Sequence, residues 1–262
     1  MLRQRLMVAA VGLPLLALLL YVPEPVFAVV VIALLAYGAY EMMHAAEPAA
    51  PLSYGLSVAA GAALFLALAR TSPEVPLGLL LGTTAVTVAL LLWPAARLSA
   101  SVGGWWLGAL LYTAVPGAHL VLARNFVDGQ EWLLVLLAIT FTTDTGAYAC
   151  GRLFGRHKLA PAISPNKTVE GAIGGLALGA AAAIGVPMLF GVATRMPGPL
   201  LLAGVVPAAA MIGDLVESAL KRRLGVKDMS GLLPGHGGLL DRLDSLLLAG
   251  PCLYWIVRWL QA

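Results

Sequence analysis

Residues 26–43 read VFAVVVIALLAYGAYEMM, eighteen positions with a single charged side chain. A bilayer core needs about 20 apolar residues per helix, so this stretch is expected to cross a membrane. Working outward, eight further stretches are cut off by clusters of charge, Pro and Gly: Leu6–Val22, Leu52–Ala69, Val75–Trp93, Val102–Ala123, Trp132–Cys150, Val169–Phe190, Pro199–Leu220 and Ser245–Leu260. The pattern predicts an all-α, polytopic integral membrane helix bundle of about nine transmembrane helices. Pro23-Glu24-Pro25 separates the first two, which could form a hairpin.

Composition agrees. Of 262 residues, 60% are hydrophobic and 11% charged, with a mean hydropathy of +0.91, whereas a globular chain carries about 25% charged residues. A water-soluble enzyme, a secreted scaffold and a disordered tail are excluded, and the lipid bilayer becomes the first partner. The net charge is +3, yet the sixteen Lys and Arg are too dispersed for a continuous basic face, so no nucleic-acid partner is expected. They act instead as topology signals. With the N-terminus cytoplasmic, Arg3, Arg5, Arg97, Arg152, Arg156, Lys158, Lys167, Lys221, Arg222, Arg223, Lys227 and Arg242 lie inside. Arg70, Arg124, Arg195 and Arg258 are left outside, with the C-terminus. The first segment also has features of a signal peptide, Arg3 and Arg5 before an apolar run and Val26-Phe27-Ala28 as a cleavage-like site. Cys150 and Cys252 lie in apolar runs, which argues against a disulfide framework.

Chemistry-bearing residues are unevenly spread. Residues 1–125 are nearly all hydrocarbon and read as scaffold helices; residues 126–262 hold the polar constellations, with cytoplasmic loops at 152–168 and 221–244. Asp144, in TTDTGAY from Thr142 to Tyr148, sits toward the cytoplasmic end of its span. A carboxylate there is costly unless compensated, either by neighbouring Thr hydroxyls or by a polar cavity. Ser164-Pro165-Asn166-Lys167-Thr168-Val169-Glu170-Gly171 leads from a basic loop into the next span. A helix N-terminus beside cations suits phosphate; a capped positive-inside loop is the alternative. Gly171, Gly175 and Gly179 then share one helix face, which lets a neighbouring helix approach closely and makes this span central.

The densest constellation is Asp214, Glu217, Ser218 and Lys221, spaced by three, four and seven into one polar helical stripe. A glycine-rich loop with Lys227, Asp228 and His236 follows, and Asp241, Arg242, Asp244 and Ser245 open the last span. Carboxylates at two helix ends suit Mg²⁺, which keeps positions for water and phosphate oxygens, while Lys221, Arg222, Lys227 and Arg242 supply cations for a polyphosphate. His236 has no second His at ligand spacing, so zinc is not expected. A structural ion-pair network would use the same charges but would not call for Gly235, Gly237, Gly238 and the Pro beside them.

The run Ser218–Asp244, SALKRRLGVKDMSGLLPGHGGLLDRLD, resembles the signature of the phosphatidate cytidylyltransferase (CDP-diacylglycerol synthase) family, without departure over its 27 residues. DTGAY at Asp144 and SPNKTVEG at Ser164 also resemble family motifs, in the same order. The resemblance covers the second half of the chain. It implies transfer of CMP from CTP to phosphatidic acid, giving CDP-diacylglycerol and pyrophosphate, with Mg²⁺ and a second monovalent cation such as K⁺. It further implies Asp214 and Asp241 as metal ligands, and Asp214, Asp241, Asp244 and Lys221 as the catalytic set. Substrate contacts would come from Asp144, Ser164, Lys167, Glu170, Ser218, Arg222, Lys227, Asp228, His236 and Arg242. A homodimer and a bacterial inner membrane with a cytoplasm-facing site complete the expectation. A transferase acting on another lipid phosphate, or an ion-coupled transporter with buried charge, are the alternatives; the transporter predicts an inverted repeat that the charge asymmetry of the two halves opposes.

Overall fold

The computed structural model describes residues 2–48, 58–63, 66, 102–192 and 196–262. Of the nine expected spans, the fourth (Val75–Trp93) lies outside the described residues and the third (Leu52–Ala69) mostly so. The helices are α1 (Leu2–Tyr21), α2 (Glu24–Ala46), α3 (Val102–Ala109), α4 (Val115–Arg124), α5 (Gly129–Phe154), α6 (Val169–Leu189), α7 (Gly198–Leu224) and α8 (Leu240–Gln261). A single π-helical turn, Leu110–Ala114, joins α3 to α4. Six helical stretches among the described residues are long and apolar enough to cross a membrane: Glu24–Ala46, Gly104–Arg124, Gly129–Phe154, Val169–Leu189, Gly198–Leu224 and Leu240–Gln261. The protein is an all-α, polytopic integral membrane protein.

The break between α1 and α2 follows from proline chemistry. Pro23 is the N-cap of α2 and Pro25 sits in its first turn, where no backbone N–H is required; the first helical bond runs from Phe27 N to Pro23 O at 3.0 Å.

The chain divides into two compact units, 1–121 with 223–243, and 122–222 with 244–262. In this division the glycine-rich loop belongs with the first helices. In the first unit Leu35, Ala39, Met42, Met43, Tyr112 and Ala118 form a buried core. Gly117 packs against Leu35, whose side chain would have to shift to admit a Cβ.

In the second unit α5 and α6 pack backbone to backbone. A methyl group on Gly171 would stand 2.7 Å from Ala147 O, and one on Gly175 2.7 Å from Thr143 O. Gly179 faces the Thr143 hydroxyl and Pro207 of α7. The small-residue face therefore does what its spacing predicts. The expectation that this span is central is corrected: 22% of its apolar stretch is buried, and Ile173, Leu176, Ile184 and Met188 are exposed on its other faces. Gly175→Ala is expected to cost about 1–3 kcal/mol by overpacking, seen as a lower Tm in detergent. Gly185→Ala, with nothing within 4 Å of the added carbon, should leave Tm unchanged or slightly raised.

Three local features differ from the expectation. Residues 158–168 are not plain loop but an antiparallel hairpin, β1 (Lys158–Ala160) with β2 (Ser164–Thr168), paired Lys158 to Thr168 and Ala160 to Ser164. Helix α7 continues past the expected Leu220 to Leu224, and α8 starts at Leu240 rather than Ser245. Asp241 and Asp244 thus lie in the opening turns of a helix, where carboxylates are favoured by the dipole.

Candidate active site

In the second unit a cavity of about 610 Å³ is lined by Asp144, Tyr148 and Arg152 of α5, Asn166 and Lys167 of β2, and Asp214 of α7. The β hairpin brings Asn166 and Lys167 to it. That hairpin is tied down by Glu170, whose carboxylate accepts from the backbone N–H groups of Arg156 (3.1 Å) and His157 (3.2 Å) and meets His157 Nδ1 at 2.6 Å. Thr168 is the N-cap of α6, its hydroxyl accepting from Gly171 N at 3.1 Å. Arg222 Nε donates to Ile163 O at 3.1 Å across the hairpin tip. Glu170 and Arg222, both expected to touch substrate, are thus engaged in holding the hairpin, and Ser164 is a half-buried strand residue beside it.

Asp144 is exposed to the cavity. The hydroxyls of Thr142 and Thr143 donate one turn back, to Ala138 O at 2.6 Å and Ile139 O at 2.7 Å.

On α7 the polar stripe holds together as spaced. Lys167 Nζ lies 2.8 Å from Asp214 Oδ2, Lys221 Nζ 2.6 Å from Glu217 Oε2, and Ser218 Oγ donates to Asp214 Oδ1 at 3.4 Å. Gly213 lets α8 come close: an added methyl would stand 2.5 Å from Asp244 O and 3.2 Å from Ser245 Cα. As a result Asp214, Glu217 and Asp244 each offer an oxygen within 4.8 Å of the others. Hard oxygen donors at that separation suit a small divalent cation. Glu217 is 1% exposed; it belonged to the stripe but was not singled out as a ligand, although its spacing from Asp214 and Lys221 was the available signal.

Asp241, the other acid expected to bind metal, is described by its own surroundings. It belongs to the first unit, where its Oδ2 accepts from Met229 N at 2.9 Å and Gly238 N at 2.7 Å. The loop it pins contains a tight turn closed by the Leu233–Gly237 bridge, with His236 N donating to Leu233 O at 2.8 Å. Gly235 and Gly237 have φ of 77° and 80°, a region side chains avoid. Lys227, Asp228 and Arg242 are exposed in this unit and His236 is half-buried. Sequence reasoning missed Glu41 of α2, 2% exposed. Its carboxylate accepts from Ser230 Oγ (2.5 Å), Leu239 N (3.0 Å) and Leu240 N (2.8 Å), capping α8. The only signal was an acid inside an apolar run.

Comparison with known proteins points one way. The model of the cytidylyltransferase family matches residues 3–260. The phosphatidate cytidylyltransferase of Staphylococcus haemolyticus is 42% identical over 159 residues, 60% of this chain and 60% of that protein. Those of Bacillus subtilis and Staphylococcus aureus (strain COL) are 39% identical over 154 residues (57% and 56%) and 45% identical over 128 residues (48% and 48%). The chain thus spans about half to 60% of the length of the curated relatives it matches.

Proposed function

The chain belongs to the cytidylyltransferase family, and on that premise we propose that it is a Mg²⁺-dependent CTP:phosphatidate cytidylyltransferase of phospholipid biosynthesis. Its substrates would be CTP and phosphatidic acid and its products CDP-diacylglycerol and pyrophosphate. The observation that carries this reading is the grouping of Asp214, Glu217 and Asp244 next to a cavity lined by Lys167 and Asp214. The arrangement suits a reaction that joins two polyanions at a membrane.

Asp214, Glu217 and Asp244 would hold the metal. A bound divalent ion supplies charge neutralisation and Lewis acidity to nucleotide phosphates. A monovalent companion such as K⁺ would draw on the same oxygens. In the proposed reaction a phosphate oxygen of phosphatidic acid, already anionic near neutral pH, attacks the α-phosphorus of CTP in line and pyrophosphate leaves. No strong general base is needed, so positioning and charge neutralisation dominate. Lys167 and Lys221, each held within 3 Å of a carboxylate, would offer their ammonium groups to incoming phosphates. A bacterial inner membrane with the site facing the cytoplasm fits the basic residues of the hairpin and α7, and a homodimer is the expected assembly.

The test is transfer of label from CTP labelled at the α-phosphate to the lipid phase, with and without Mg²⁺. Magnesium-dependent label in CDP-diacylglycerol supports the reading; folded protein that transfers none refutes it. In the same assay Gly213→Ala, which pushes α8 off α7 at Asp244, is expected to lose about 10²-fold in rate, the scale of a catalytic group displaced by about 1 Å.

A further inference from the structure

The cations at the cavity are not equivalent. Lys167 is neutralised by Asp214 at 2.8 Å. Arg152 also lines the cavity, and has no carboxylate partner among the described residues. Its guanidinium donates to Tyr148 Oη at 2.9 Å, one turn back on α5. That hydroxyl accepts from the arginine and so keeps its own proton for another acceptor. Two donors on successive turns, one of them a planar fork, form a receptor for phosphate oxygens.

A cation in the last turn of a helix commonly serves only the helix dipole. Here the end of α5 is closed without it, by Gly155 N donating to Gly151 O at 3.1 Å, and the guanidinium is turned back along the helix to Tyr148. The surroundings select the kind of phosphate. Phe141, Asp144, Tyr148 and Arg152 share one face of α5, and Phe141 and Tyr148 are 45% and 67% exposed, with Leu153 and Phe154 beside Arg152 at 73% and 64%. On a membrane-crossing helix such side chains face acyl chains. The remaining cavity wall includes Met211 and Leu215 of α7 and Gly171 and Ala172 of α6. A phosphate bound here would have hydrocarbon, not a base and ribose, as its nearest neighbour.

We infer that Arg152 and Tyr148 hold the phosphomonoester of the lipid acceptor, while the nucleotide phosphates lie on the side of Asp214, Glu217 and Asp244. This rests on the cytidylyl-transfer reading above for its turnover arm, though not for its binding arm. A phosphate at Arg152 could belong to lipid or to nucleotide, and steady-state kinetics with each substrate varied in turn separates them. Arg152→Gln should lower kcat/KM for short-chain phosphatidic acid by about tenfold or more, the value of a charge-assisted pair, with KM for CTP within about twofold. Arg152→Lys should recover part of the loss, and Tyr148→Phe should cost about threefold on the lipid side alone. A rise in KM for CTP with lipid kinetics unchanged, or no change in either, overturns the inference.

The binding arm uses the intact protein in detergent without CTP. Dihexanoyl phosphatidic acid, but not dihexanoyl phosphatidylcholine, should raise Tm of the unaltered protein, and Arg152→Gln should abolish the shift while its unliganded Tm is unchanged. Should Arg152→Gln fail to fold, Arg152→Lys and Tyr148→Phe carry the same comparison. A lipid-specific shift that depends on Arg152 in a protein with no label transfer would sustain this site and refute the reaction. No such shift in the unaltered protein would overturn the site itself.

Discussion

Asp214→Asn is expected to reduce label transfer from CTP by about 10²- to 10³-fold or more while α7 stays folded, the scale set by losing a group that organises a metal or stabilises developing charge. The substitution keeps the side chain's shape and its contact with Ser218, and removes one of three charges that lie within 4.8 Å. It also releases Lys167 from its 2.8 Å ion pair. Residual activity should require more Mg²⁺, so a magnesium titration ought to move to higher concentration even where the maximal rate is lost. Glu217→Gln provides the contrast. Glu217 is 1% exposed and pairs with Lys221 at 2.6 Å. Removing its charge takes the ion-pair partner from a largely buried ammonium, so this variant should lose Tm as well as turnover. Near-normal turnover in Asp214→Asn would refute the metal assignment.

How much of this could be read from the chain depends on the range of the interaction. Asp214, Glu217, Ser218 and Lys221 interact within two turns of one helix, and a 3.6-residue period is enough to place them together. Gly171 and Gly175 likewise reveal a close-packed face, although not that the opposite faces of α6 are exposed, since small and apolar residues suit both protein and lipid. The Lys158–Thr168 hairpin was hidden because its strands are three and five residues long, contain Pro165 and carry charge, so they lack an apolar alternation. The hydrogen bonds of Asp241 were equally out of reach. They run to the backbone N–H groups of Met229 and Gly238, in a glycine-rich loop whose path no helical period signals. Glu41 is the extreme case, with partners 189 to 199 residues away.

Glu41→Ala is expected to be among the most destabilising single changes in the first unit, by about 3–5 kcal/mol. The α8 N-terminus has backbone N–H groups with no partner inside the helix, and the Glu41 carboxylate takes two of them, at Leu239 and Leu240, together with the Ser230 hydroxyl. Alanine would leave the buried Leu240 N–H and the half-buried Leu239 and Ser230 donors without this acceptor. The space is fitted to the acid: a methyl on Gly238 would stand 2.8 Å from Glu41 Oε2. Glu41→Gln keeps one carbonyl oxygen and should cost about 1–2 kcal/mol, while Ser230→Ala, which loses one bond, should cost about 1 kcal/mol. Because Ser230 acts through Glu41, Ser230→Ala should cost much less in a Glu41→Ala background, with a coupling of about 0.5–1 kcal/mol. Thermal unfolding in detergent measures the series, and limited proteolysis at residues 225–239 reports where it acts: Glu41→Ala should open that loop to cleavage before the rest of the chain. A Glu41→Ala protein with unaltered Tm and an intact loop would show that α2 is only a scaffold. The expected result instead makes an acid of the apolar first half the anchor for the segment that carries the family signature.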